Sequence, residues 1–239
     1  MKTIFLTTLV SLFLFSCEKS QEEILNDYNN VMTLKVENDN AYADNFNKIK
    51  IIAEFPNDFI TEDDGKVDFY ISKDTEEHKL ESIRLIQENG VSKKIAEAFI
   101  THNKNELLNV RAVVTINGVE TSKQTSVTFK KAYFDELNII ASSLVVTHNT
   151  FNTIQLTTEL NRNNGVVTLN SIAETVIKDS SGNTIGIFNN YKNKTDSTGK
   201  IVNNFAMGNN NYIGILYAIT SSANELGVTQ KDTLILYSN

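Results

Sequence analysis

Residues 110–129 read VRAVVTINGVETSKQTSVTF, and their pattern decides the fold. Val110, Ala112, Val114 and Ile116 alternate with intervening positions, Asn117-Gly118 interrupts, and a second run carries Val127 and Phe129. A period of two is the signature of a strand with one buried face, and Asn-Gly is the pair that best tolerates the left-handed backbone of a tight hairpin. The stretch therefore predicts two antiparallel strands.

The same alternation spreads outward. Ile49, Ile51, Ala53 and Phe55 form one run and Val67, Phe69 and Ile71 another, separated by turn-forming stretches PND at 56–58, EDDG at 62–65 and ENG at 88–90. In the second half Ile154, Leu156, Thr158 and Leu160 alternate, followed by SIAETVIKD, the turn SSGN, and the strand-like runs TIGIF, KIVNNFAM, YIGILYAITS and DTLILYS. Residues 34–55 align with 144–160, and 110–129 with 216–237 (LYAITSSANELGVTQKDTLILY), which indicates an internal duplication with its boundary near residues 130–134. Residues 78–103 are ambiguous: Leu80, Ile83, Ile86, Ile95, Ala98 and Phe99 also fit helical spacing, but Asn89 and Gly90 break the run and favour strands. The expected fold class is all-β, two tandem antiparallel β-sandwich domains.

Residues 176–220 add a family likeness. Asp179, Gly182 and Asn183 stand in a DxxGN turn, and Thr195, Asp196, Gly199 and Lys200 in a TDxxGK turn. In these features the segment resembles bacterial Ig-like domains of the invasin and intimin type. The resemblance covers most of residues 137–239 and extends weakly to 31–131 through DDGKVDFYIS and ENGVSKKIAEAFIT. It implies an Ig-like fold and no active site.

The N-terminus reads MKTIFLTTLVSLFLFSC, one charge at Lys2 and an apolar and hydroxyl stretch from Thr3 to Phe15, with the polar EKSQEE directly after. A spanning helix needs roughly 20 apolar residues, so this shorter stretch reads as a removable signal peptide. Leu14, Phe15, Ser16 and Cys17 resemble the lipobox of bacterial lipoproteins, with Phe15 bulkier than its usual occupant. The resemblance implies cleavage after Ser16 and acylation of Cys17. Two or three acyl chains, each buried CH₂ contributing about 0.8 kcal/mol, would hold the chain stably where one would not. The layout expected is a signal peptide at 1–16, an acidic tether at 17–30, and Ig-like domains at 31–131 and 132–239. Glu18, Glu22 and Glu23 resemble the acidic export signals of surface lipoproteins and read equally well as a solvated linker.

Composition narrows the function. The formal net charge is −7, and loss of Lys2 with the signal peptide makes the balance more acidic, which disfavours nucleic acid. Cys17 is the one cysteine, so its lipidation leaves no disulfide and no thiolate chemistry. His78, His102 and His148 stand apart without metal-ligand spacing and read as exposed loop or strand-end residues. Asp63, Asp64, Asp179 and Asp196 precede glycines and read as turn formers rather than calcium ligands, since none matches a DxDxDG loop. Nucleotide and nucleophile-elbow motifs are absent. No metal or cofactor is expected beyond the covalent lipid on Cys17. Tyr191 and Tyr212, beside asparagine-rich loops, are the candidates for a ligand contact. The expectation is a non-enzymatic, membrane-anchored lipoprotein of the cell envelope, at the outer membrane or cell surface. It would act as a spacer, adhesion or protein-binding module toward another envelope or extracellular protein, with exposed edge strands as the natural docking surface. An accessory glycan-binding lipoprotein is the alternative.

Overall fold

The computed structural model describes residues 32–56, 66–73, 76–80, 86–87, 93–116 and 119–239. Cys17, the tether with Glu18, Glu22 and Glu23, the Asp63-Asp64 turn and the Asn89-Gly90 and Asn117-Gly118 pairs lie outside these residues. Every regular element among the described residues is a strand.

In the first half the strands are β1 (Thr33–Glu37), β2 (Ile49–Pro56), β3 (Lys66–Lys73), β4 (Glu76–Leu80), β5 (Ile86–Gln87), β6 (Lys93–Ile100), β7 (Leu107–Ile116) and β8 (Val119–Thr128). They form two sheets, β1-β2-β6-β5 and β4-β3-β7-β8. The founding hairpin is in register from Ile116↔Val119 to Leu107↔Thr128. Within 78–103 the regular elements among the described residues are strands, the end of β4 with β5 and β6, as the interrupted periodicity indicated. Alternation turns Phe55, Phe69 and Phe129 inward with Val110, Ala112 and Val114. Each large side chain so buried contributes about 1.5–3 kcal/mol.

The second half holds β9 (Glu136–Ala141), β10 (Val145–Val146), β11 (Ile154–Asn161), β12 (Glu174–Asp179), β13 (Ile187–Asn189), β14 (Lys200–Ala206), β15 (Gly214–Ala223) and β16 (Thr229–Ser238). The sheets are β13-β14-β11-β9 and β10-β16-β15-β12. The first of these repeats the order β5-β6-β2-β1, and β16-β15-β12 repeats β8-β7-β3. The duplication is one of topology, with the sequence alignment corrected at its start: β1 matches β9 (Glu136–Ala141), while the stretch from Leu144 aligned above with Leu34–Glu37 matches the parallel bridge at Tyr42. Both copies also switch sheets after their first strand. β10 pairs in parallel with β16, and in the first copy Tyr42 bridges Lys130 in parallel.

One run departs from expectation. TIGIF at 184–188 is not a single strand: Thr184 bridges Lys178 beside β12, and β13 begins only at Ile187. Gly186 is the reason. Its φ is +73°, and a Cβ there would lie 2.4 Å from the ring of Phe205, which has no exposed surface. The chain bends where only glycine fits and passes from one sheet to the other.

The second core contains a polar device. Thr158 on β11 lies 3.1 Å, oxygen to oxygen, from Thr175 on β12 and 3.2 Å from Thr220 on β15, while Thr175 donates to Thr220 at 3.3 Å. Thr220 also donates to the Glu174 carbonyl. These buried hydroxyls satisfy one another across the two sheets. Leaving one partner out strands the others, whereas removing all three leaves nothing unpaired. Thr158→Val is expected to destabilise by about 1–2 kcal/mol, and the triple valine variant to recover most of that loss, as measured by denaturant unfolding.

Candidate functional site

The described residues gather no group of three or more histidine, cysteine, aspartate or glutamate side chains fit to hold a metal ion. A buried polar construction lies between the two sandwiches. It starts from Asp44, in the stretch Ala41–Asn47 between β1 and β2, whose side chain has no exposed surface. Its Oδ1 accepts the amides of Phe46 (2.9 Å) and Asn47 (2.7 Å), and its Oδ2 accepts Asn47 Nδ2 (2.6 Å) and the guanidinium of Arg162 (3.4 Å). A buried carboxylate costs several kcal/mol unless donors and a counter-charge surround it, and here they do.

Arg162, just past the end of β11, spends the rest of its fork on the junction. It donates to the Tyr133 carbonyl (2.8 Å) in the connecting segment and to the Asn164 carbonyl (3.2 Å) in its own loop. The guanidinium stacks over the Tyr42 ring at 5.1 Å. Only a planar, multi-donor cation can serve first domain, connection and second domain at once.

Backbone bonds complete the seam. The amide of Val166 donates to the Asp44 carbonyl (2.9 Å) and that of Leu169 to Asn103 (2.7 Å). Buried Thr168 accepts from the Ala132 amide (2.7 Å) and donates to the Ala43 carbonyl (3.2 Å). Gly165, at φ +78°, lets this loop come close: a Cβ would fall 2.4 Å from the Asp44 carbonyl oxygen and 2.8 Å from Phe46 Cβ. The loop after β11 is laid along the end of the first sandwich like an extra strand.

His102 corrects the sequence reading. It is 3% exposed, not a solvated strand-end residue; its Nε2 lies 2.6 Å from Glu106 Oε1 and its ring 5.9 Å from that of Phe129. Its carbonyl accepts the Asn45 amide, so it supports the Asp44 turn. His148 bonds the Asn239 carbonyl through Nδ1 (2.6 Å), and the side chain of His78, on β4, lies outside the described residues. The three stand on separate elements.

Asp179 and Asp196 close their own turns. Asp179 accepts from Ser181 and Asn183, and those bonds, Asn183 foremost, hold its carboxyl below the ordinary value of 3.8. Burial pushes the Asp196 carboxyl up, but bonds from Thr198 and the Lys200 amide outweigh it and leave it lowered.

Tyr191 and Tyr212 sit at opposite ends of β12, roughly 17 Å apart along the strand at about 3.4 Å per residue, so they do not form one platform. The Tyr191 hydroxyl accepts the Thr175 amide at 2.9 Å, and its ring packs against Phe188. Tyr212 contacts Ser180 Oγ (3.1 Å) and donates to the Ile215 carbonyl (3.1 Å). With Tyr191, residues 183–185 cover the free side of β12: Ile185 donates to Ile177, and Asp179 to the Asn183 carbonyl. This edge, a natural place for an added strand, is already occupied.

An open groove of about 470 Å³ lies beside the junction, lined by Lys131, Tyr133, Ile172, Glu174, Ser221 and Glu225 among others.

No family model matches the chain, and no curated protein matches it in sequence. Its structure resembles the Yersinia pseudotuberculosis adhesin InvE, with 13% identity and a TM-score of 0.51 over 86% of this chain and 58% of that one. It also resembles invasin, described as a bacterial integrin-binding protein, with 12% identity and a TM-score of 0.55 over 87% of this chain and 39% of that one. The chain spans less than two thirds of either. At these identities the likeness is one of fold: tandem Ig-like β-sandwiches.

Arg162→Ala leaves the Asp44 carboxylate buried without its cation, with an expected loss of about 3 kcal/mol at the seam. Scanning calorimetry should then resolve two transitions where the unaltered chain shows one. Gly165→Ala should act in the same direction without removing any polar group. The two turn aspartates predict a pH dependence. Because their folded-state values are depressed, their stabilisation is complete above about pH 4 and is lost as pH falls through the folded values. Asp196→Asn should lower the melting temperature at pH 7, and the gap to the unaltered chain should close below pH 4.

Proposed function

We propose that this chain is a non-enzymatic adhesion or protein-binding module displayed at the bacterial cell envelope and held to the membrane by lipid on Cys17. The observation that carries the reading is the seam between the sandwiches. Asp44, Arg162, Thr168 and Gly165 join two Ig-like domains by direct bonds instead of a slack linker. A stiff pair of domains presents a surface at a fixed distance from its attachment, and the acidic tether after Cys17 supplies clearance from the headgroups. Acid–base or nucleophilic catalysis needs groups brought together in reach of a substrate, and among the described residues His102 and His148 each bond their own separate neighbours, Glu106 and the Asn239 carbonyl.

The partner class is a protein of the envelope or of an opposing surface. Support comes from the fold shared with InvE and invasin, whose descriptions name an adhesin and an integrin-binding protein. A glycan partner has one observation in its favour, the Tyr191 ring, 41% exposed beside Phe188. A glycan array on the full chain separates the two: binding abolished by Tyr191→Ala favours sugar, and no binding favours a protein.

Metabolic labelling with an alkynyl palmitate tests the anchor. The unaltered chain should carry label, partition into detergent phase and be cut by protease added to intact cells. Cys17→Ser should lose label and detergent partition together. Label retained in the Cys17→Ser variant would contradict the proposal.

A further inference from the structure

The outer face of β10-β16-β15-β12 is unlike the outer faces of the other sheets. On β1-β2-β6-β5 the outward positions form a charged lattice: Lys35 pairs with Glu54 at 2.6 Å, and Lys50 bridges Glu97 and Glu37. The hydrogen bond that Lys50 donates to Glu97 holds its ammonium above the ordinary value of 10.5. On the sheet that packs against β10-β16-β15-β12, polar residues lead on the outward side, Gln155, Thr157, Glu159, Lys200 and Asn204, with the apolar Ile140, Val202 and Ile187 set singly among them. The face in question is apolar. Registers place its outward residues in rows across the strands. One row is Val145, Tyr237 and Ile215, the next Ile235, Tyr217 and Lys178, the next Thr233, Ile219 and Val176. The last, nearest the junction, is polar: Lys231, Ser221 and Glu174. Tyr237 is 50% exposed, Ile235 46% and Val145 45%. A sheet face facing water is expected to be polar, and a contiguous apolar one marks an interaction surface.

We infer that this face is a self-association surface, on which a second copy of the chain packs face to face. The order of rows selects the partner and its orientation. Two copies of one face meet through a two-fold axis lying in the contact plane. If the axis ran across the strands, the apolar rows of one copy would fall on the polar row of the other. If it runs along β15, each row meets itself and β12 of one copy lies over β16 of the other. Ile219 then meets its own counterpart, and Glu174 meets the partner's Lys231 twice over, once in each direction. The charges on the polar row are therefore self-complementary as they stand in one chain.

Size sets the strength. β15 and β16 with ten residues each, β12 with six and β10 with two, at about 3.4 Å per residue and about 4.8 Å strand spacing, give a face of roughly 450 Å². Standard interfaces use about 800 Å² per partner, so this dimer belongs to the weak, concentration-dependent class. Aligned sheets of this kind pack about 10 Å apart. The edge of β12 is closed by residues 183–185 and Tyr191, which directs association to the face. The inference concerns β10-β16-β15-β12 alone and stands whether or not Cys17 carries lipid.

Sedimentation of the full chain over a wide concentration range tests it, in detergent with micelles in large excess so that shared micelles do not imitate a contact. A monomer–dimer equilibrium is expected in the micromolar range. Glu174→Lys and Lys231→Glu each place like charges together at two symmetric points and should weaken the dimer at least about 10-fold. The double exchange, Glu174→Lys with Lys231→Glu, should return it to within about 3-fold of the original. Melting temperatures of all four proteins report whether the fold survives the exchanges. A monomer at every concentration, a dimer indifferent to both single changes, or a double exchange no better than the singles would each overturn the inference.

Discussion

A carboxylate with no exposed surface organises this molecule. Asp44 is tolerable in its place only because two amides, one side-chain amide and one guanidinium surround it. The guanidinium comes from the other domain. Neither sandwich can satisfy its end of the seam alone, since Thr168 and Val166 also find their partners across it. Burial of charge thereby converts two similar domains into one mechanical unit, and a charge pair serves specificity of arrangement more than net stability.

Duplication supplied the two domains with one topology, yet their surfaces have diverged. The first carries Asn109, Arg111, Gln124 and Ser126 on the outward side of β7 and β8, where the equivalent strands of the second, β15 and β16, carry Tyr217, Ile219, Ile235 and Tyr237. The inner faces had to stay apolar in both copies, because each must bury its own core. Outer faces were free to differ. A tandem fold can in this way keep one copy as a solvated support and make the other a binding surface.

Much of this was legible in the sequence because strand patterning is local. The Val110 to Phe129 run fixed a hairpin, and its counterpart from Leu216 to Tyr237 fixed the repeat. The seam was hidden. Asp44 and Arg162 are 118 residues apart, and each alone reads as a solvated charge in an asparagine-rich loop. His102 looked like a surface residue because nothing near it in sequence shows that Phe129 covers it. Tyr191 read as a loop aromatic because the Thr175 amide it caps belongs to another strand. The bend at Gly186 was invisible for a similar reason, as the ring of Phe205 that forbids a side chain lies in a different sheet.

The seam is as much a part of the folded unit as the two cores. Native-state hydrogen exchange at the amides of Val166 and Leu169 measures this directly, since both donate across the seam at 2.9 and 2.7 Å. Both amides are expected to exchange only through the same global opening that exposes core amides such as Val110 and Leu216. Exchange at the rate of an exposed loop, with both cores still protected, would contradict it.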